Sequence, residues 1–234
     1  RPARARGFRR PVLPQAQPSE LVVQPALSTF DFARRFLVLV VVVVMINLCW
    51  HFFRAWLPKF LREFHHYDRA SVNYFTAAYY LATDIGSLTV GFATRRLIVQ
   101  GWRVHSARVA LFFLCAVLTG LSTVAAWLPA GWLLLGILLA IGFGALGLFP
   151  NYYSFSQELT TRHQGKVTGS LGFITWTCTA FMHPLVGERV DATQSYAEGI
   201  FLVGLAPLLA LLALLFFWSW PRSHSPAAAD FSTR

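Results

Sequence analysis

The chain has 234 residues, of which 56% are hydrophobic and only 13% charged, against about 25% charged residues in an ordinary soluble domain. This composition excludes a soluble globular enzyme, because several apolar runs approach the length that crosses a lipid bilayer. The formal net charge of +10 is better explained by basic loops beside a membrane than by a nucleic-acid partner.

Residues 1–30 are predicted to form a flexible basic linker rich in arginine and proline. Ser28 then stands as a helix cap before eleven consecutive apolar residues at 36–46. A bilayer core needs roughly 20 mostly apolar residues per helix, and Pro58 is expected to end the first span. The sequence predicts an all-α membrane protein, a six-transmembrane-helix bundle followed by a tail over 221–234, with spans at about 32–57, 72–94, 107–128, 132–155, 167–186 and 197–220.

The distribution of basic residues predicts the orientation of these spans. Fifteen Lys and Arg residues fall on the side of the N-terminus, and four fall on the opposite side. Because cytoplasmic loops are enriched in Lys and Arg, we expect a multi-pass protein of the cell (inner or plasma) membrane with both termini in the cytoplasm. Tryptophans at the predicted span ends are typical of interfacial anchors: Trp102, Trp127, Trp132, Trp218 and Trp220.

Glycines are concentrated in the fourth and fifth predicted spans, where they permit close helix contact. They are Gly142, Gly144 and Gly147 in the fourth span, and Gly165, Gly169 and Gly172 in the fifth.

Three stretches resemble one family of transporters. Residues 80–97 read YLATDIGSLTVGFATRRL, which resembles the signature loop of the major facilitator superfamily in its second copy, between helices eight and nine. Residues 50–58, WHFFRAWLP, resemble the end of helix seven in the anion:cation symporter family. Residues 149–153, FPNYY, and 164–169, QGKVTG, resemble the helix ten–eleven region of the same family.

The resemblance covers residues from about 30 to 220 and implies the C-terminal six-helix half of a secondary active transporter. Its substrates would be small organic anions such as sugar acids of the hexuronate or aldonate type. Transport would be coupled to a proton or sodium by alternating access, without a cofactor. The implied partner in the bilayer is the missing N-terminal six-helix half or a second copy. Arg95 and Arg96 would form the gating loop, where Arg95 replaces the usual acidic residue.

Asp84 is the most distinctive polar residue at predicted membrane depth. It precedes Arg95 by eleven residues, which at a rise of about 1.5 Å per residue puts it roughly 16 Å from that end of the helix. A carboxylate at this depth needs a partner, a wet cavity or a proton. Two roles stand for Asp84, coupling through a bound proton or a structural interhelical hydrogen bond.

His51 and Arg54 lie three residues apart on one helical face. The functional interpretation makes Arg54 a positive charge that attracts anions at the outer mouth, with His51 one turn deeper in contact with substrate. The alternatives are an Arg54 that reaches the lipid headgroups and a His51 that donates between helices.

Five further polar or aromatic residues are candidates. Asn151 and Tyr152 follow Pro150, and the resemblance implies that this part of helix ten contacts sugar hydroxyls; a simple helix kink is the alternative. In the fifth span Trp176 is suited to stacking on a sugar face and Thr175 to coupling or interhelical hydrogen bonding. His183, before Pro184, is a candidate for a hinge.

Other functional classes fit the sequence less well. An intramembrane serine protease needs its nucleophile and a histidine on separate helices, and the last span contains no histidine. A non-transporting regulatory half-transporter or a channel-like protein is the second alternative. We expect no enzymatic activity, no catalytic residue and no metal site.

Overall fold

A computed structural model describes residues 28–160 and 163–218 of the chain. The predicted tail over 221–234, Trp220 and nearly all of the predicted basic linker over 1–30 lie outside these residues. Within the described ranges every regular element is a helix.

The described part of the chain forms six long helices, which follow one another with short connections. The short helix α4 continues α3 after Leu121, and a single π-helical turn extends α1. The elements are α1 Thr29–Lys59 with the π turn Phe60–Phe64, α2 Arg69–Val99, α3 Val104–Gly120, α4 Ser122–Ala125, α5 Trp132–Leu159, α6 Gln164–Thr193 and α7 Ala197–Phe217.

A capping residue begins α1 as predicted, but prolines do not end the helices in which they occur. The Ser28 hydroxyl accepts a hydrogen bond from the Asp31 backbone N–H at 3.1 Å, as expected of an N-cap. Pro58 does not end α1 as predicted, because the helix continues through it into the π turn. Pro150 likewise lies inside an unbroken α5. A proline removes one hydrogen-bond donor, and tertiary packing retains the helix at both places.

Helices α1 and α5 form the centre of the bundle. Helix α1 packs on α5, α6 and α7, whereas α5 packs on α1, α2 and α3. Helices α2 and α6 lie at the edges, since α2 packs mainly on α5 and α6 mainly on α1. The burial pattern agrees: α1 buries twelve residues and α5 thirteen, but α2 buries five and α6 only four.

Among the described residues, four elements are long and apolar enough to cross a membrane: Thr29–Phe64, Val104–Ala125, Trp132–Leu159 and Ala197–Phe217. The chain is therefore an all-α protein of the membrane type. Helices α2 and α6 are nearly as long as α1 or equal to it. They contain more polar residues and are not apolar enough to be included among these four. The crossing of the bilayer by all six long helices remains a prediction.

The glycines of α5 and α6 differ in what surrounds them. A Cβ atom added at Gly142, Gly144 or Gly147 would come within 2.8 Å of a neighbouring atom, so the predicted close contacts of α5 are confirmed. A Cβ added at Gly165, Gly169 or Gly172 would meet no atom within 4 Å. These three glycines of α6 therefore serve no helix contact inside the described bundle.

The contact between α2 and α5 depends most closely on Gly86. A Cβ at this position would lie 2.1 Å from the backbone oxygen of Phe143, and backbone atoms cannot move aside without displacing a helix. We predict that Gly86→Ala destabilises the protein by about 1–3 kcal/mol, measured by thermal unfolding in detergent. Gly136→Ala is the control, because its Cβ would meet open space. Equal stability of the two variants would contradict this packing.

Candidate functional site

Three polar residues lie on one face of α1, and one of them, His51, contacts α6. Asn47, His51 and Arg54 follow one another at helical spacing on one face of α1. The Asn47 amide donates to the Val43 backbone oxygen at 2.8 Å and is therefore satisfied within its own helix. His51 is 8% exposed, whereas Arg54 is open. Neither His51 nor Arg54 has a hydrogen-bond or ion-pair partner within the described residues.

The face of α6 that packs on α1 changes from apolar to polar along its length. Its buried residues recur every four positions and are Val167, Leu171, Thr175 and Thr179. His183 is the next residue in this series and is half-buried. The hydroxyls of Thr175 and Thr179 are buried without a hydrogen-bond partner. An unsatisfied buried hydroxyl costs about 1–3 kcal/mol, so these two groups are costly to the fold unless something satisfies them.

Two side-chain contacts join these polar faces. The ring centroids of His51 and Trp176 are 4.8 Å apart. The indole Nε1–H of Trp56 donates to Nδ1 of His183 at 3.3 Å. We call this set the polar seam: His51, Arg54 and Trp56 of α1, with Thr175, Trp176, Thr179 and His183 of α6.

The seam contains cationic and neutral donor groups but no carboxylate. Arg54 and His183 are both neighbours of His51. Trp176 presents its ring beside His51 with 62% of its surface exposed. This arrangement favours an anionic ligand with oxygen acceptors and a face that can lie on an indole ring.

Asn151 and Tyr152 lie on the buried face of α5, apart from the seam. Asn151 is 1% exposed, and its amide nitrogen has no partner. The Tyr152 ring contacts that of Tyr153, with centroids 5.0 Å apart. Within the described residues no hydrogen bond or ring contact joins either side chain to the seam.

Asp84 also lies apart from the seam, on the exposed part of α2. It makes no hydrogen bond or ion pair with any described residue. The interhelical hydrogen bond considered from sequence is therefore not made within this bundle, and Asp84 is open to whatever covers α2.

One end of the bundle carries the basic residues Arg95, Arg96 and Arg108, and we call it the basic end. Arg95 and Arg96 are exposed. Arg108 of α3 forms an ion pair with Glu158 of α5. Sequence reasoning missed this pair, because the partners lie fifty residues apart and the only signal is an acidic residue in the last turn of α5.

Trp218 departs from its predicted role as an interfacial anchor. It is 2% exposed and packs against Phe155 at a centroid distance of 5.2 Å. The Arg35 guanidinium lies 5.3 Å from its ring centroid. This cation–π contact ties the start of α1 to the end of α7. Trp102, Trp127 and Trp132 are exposed, and their anchoring role stays a prediction.

The opposite end contains a polar cavity of about 280 Å³ beside the seam. Trp56 lines this cavity together with Lys59, Glu63, Asp191 and Tyr196. The Tyr196 hydroxyl donates to Glu63 at 2.5 Å. Burial, followed by this hydrogen bond, raises the pKa of Tyr196, so its hydroxyl stays protonated. Trp56 therefore borders this polar cavity and also contacts His183 in the seam.

The chain matches no protein-family model and no curated protein sequence.

The unpaired hydroxyls predict an unusual response to mutation. Thr175→Val and Thr179→Val remove a buried group without a partner, so we expect each to preserve thermal stability or raise it by about 1 kcal/mol. Thr177→Val is the control on the same helix, since its exposed hydroxyl donates to the Phe173 backbone oxygen at 2.9 Å. Destabilisation by Thr175→Val or Thr179→Val well beyond that of the control would show that these hydroxyls have structural partners.

Proposed function

We propose that this chain is one six-helix unit of a secondary transporter of the major facilitator type, carrying small organic anions such as sugar acids together with protons. In this proposal all six long helices cross the cell membrane and both termini lie in the cytoplasm. Transport, rather than catalysis, is the activity. The polar seam between α1 and α6 is the observation that carries the proposal.

The chemistry of the seam supports anion binding. Placing charged or polar groups at membrane depth is costly unless they are paired or hydrated. Arg54 and His51 have no carboxylate partner among the described residues, and Thr175 and Thr179 keep buried hydroxyls unpaired. A carboxylate with neighbouring hydroxyl groups would satisfy both kinds of residue at once.

The two edge helices support a second six-helix unit. Helices α2 and α6 are the least buried of the long helices, and they are also too polar to count among the four that could cross a membrane by composition alone. A polar helix face at membrane depth requires protein or water beside it. The open glycines of α6 leave room for a close helix contact. Alternating access requires two such units around one site, either another half of the protein or a second copy.

Asp84, Asn151 and Tyr152 have proposed roles on the same basis. Asp84 lies on the open face of α2 and would carry the coupling proton at the boundary with the second unit. Asn151 offers a buried amide without a partner, which together with the Tyr152 hydroxyl suits sugar hydroxyls. Arg95 and Arg96 would act at the gating loop, while Arg108 and Glu158 join α3 to α5 beside it.

Arg54 tests the anion assignment. We predict that Arg54→Ala in the full-length protein raises the KM for glucuronate by about tenfold or more, since a charge-assisted contact contributes roughly 1.5–3 kcal/mol. Uptake into proteoliposomes measures this effect. Arg69→Ala is the control, an exposed arginine at the same end of the bundle and outside the seam. Equal KM values for the wild type and Arg54→Ala, or uptake of glucose in preference to glucuronate, would contradict anion binding here.

Gly169 tests the second unit. We predict that Gly169→Leu lowers glucuronate uptake at least tenfold and the melting temperature of the full-length protein by several degrees. The reason is that the leucine side chain would prevent a close contact between α6 and the second unit, which destabilises the protein by about 1–3 kcal/mol. Gly136→Leu introduces the same side chain at another open position, in α5. It is expected to change neither quantity, and identical behaviour of the two variants would exclude a close contact at α6.

A further inference from the structure

A hydrogen bond between α1 and α6 fixes the protonation of one histidine in the seam. The Trp56 indole N–H can only donate, so Nδ1 of His183, its acceptor at 3.3 Å, carries no proton while the bond exists. A neutral imidazole then has its proton on Nε2. Trp56 itself is held by Lys59, whose ammonium lies 4.7 Å from its ring centroid, and by the ring of Tyr196 at 6.2 Å.

The other ring nitrogen of His183, Nε2, has no hydrogen-bond acceptor among the described residues. Thr179, one helical turn away, has a buried hydroxyl with no partner. His51 and Arg54 add further unpaired donors from α1. Several donors therefore share one seam in which the protein supplies no carboxylate.

We propose that Trp56 is a positioning residue that fixes His183 as an Nε2–H donor, and that this donor binds a carboxylate or hydroxyl oxygen of the transported anion. The Thr179 hydroxyl is the neighbouring contact of the same ligand group. This inference rests on the proposed transport function. It adds His183, Trp56 and Thr179 to the binding residues expected from sequence and defines the ligand as an anion rich in oxygen acceptors.

The test uses glucuronate uptake by the full-length protein in proteoliposomes. Trp56→Phe keeps the ring but removes the N–H, and we expect the KM to rise about tenfold with kcat changed less than twofold, as for one lost hydrogen bond. His183→Asn keeps an acceptor near the position of Nδ1 but has no donor at that of Nε2, so its KM should rise similarly. His183→Gln places an amide donor near Nε2 and should recover most of the affinity lost in His183→Asn.

The decisive comparison is the double variant Trp56→Phe with His183→Gln. Glutamine has no tautomer to fix, so Trp56→Phe should add nothing to the KM of His183→Gln. Trp132→Phe, an exposed tryptophan away from the seam, is the matched control and should leave KM unchanged. Equal effects of Trp56→Phe in both backgrounds, or an unchanged KM in Trp56→Phe, would overturn the inference while uptake by the wild type persists. Absence of wild-type uptake of glucuronate and gluconate would instead overturn the proposed function and this inference with it.

Discussion

The structure depends on the constraint that a polar group at membrane depth needs a partner or water. Helices α1, α3, α5 and α7 meet this constraint by being apolar over long stretches. Where polar residues interrupt α1, they lie opposite polar residues of α6. The hydrogen bond from Trp56 to His183 and the contact of His51 with Trp176 meet part of this need. The hydroxyls of Thr175 and Thr179 are buried polar groups for which the described residues provide no hydrogen-bond partner.

The same constraint explains why the bundle is asymmetric. Its centre contains tight glycine contacts between α2 and α5 and between α3 and α5, whereas Gly165, Gly169 and Gly172 of the edge helix α6 contact no other described residue. The polar residues of α6 would be costly in contact with lipid. They are better suited to contact with another protein surface or with water. A closely packed centre with two less apolar edge helices is the arrangement expected if one unit moves against another around a ligand.

The long apolar helices were predictable, because a hydrophobic run of this length has few other structural solutions in lipid. The Ser28 cap and the close packing of the α5 glycines were predictable for similarly local reasons. The continuation of α1 through Pro58 was not, since neighbouring helices decide whether a lost hydrogen bond ends a helix. The partner of His183 depends on the register of α1 against α6, across 127 residues of sequence. The pairing of Arg108 with Glu158 and the burial of Trp218 also depend on tertiary contacts, so they could not be predicted from the sequence.

Water access along α6 tests the central claim most directly. Trp176 of α6 and Leu212 of α7 are both exposed on the described bundle, at 62% and 46%, but only Trp176 belongs to the seam. Each would be replaced by cysteine in full-length protein whose Cys49, Cys115 and Cys178 have become alanine. Reaction with a membrane-impermeant methanethiosulfonate reagent should be rapid at position 176, slowed by glucuronate, and absent at position 212. Equal lack of reaction at both positions would place α6 against lipid and contradict the account.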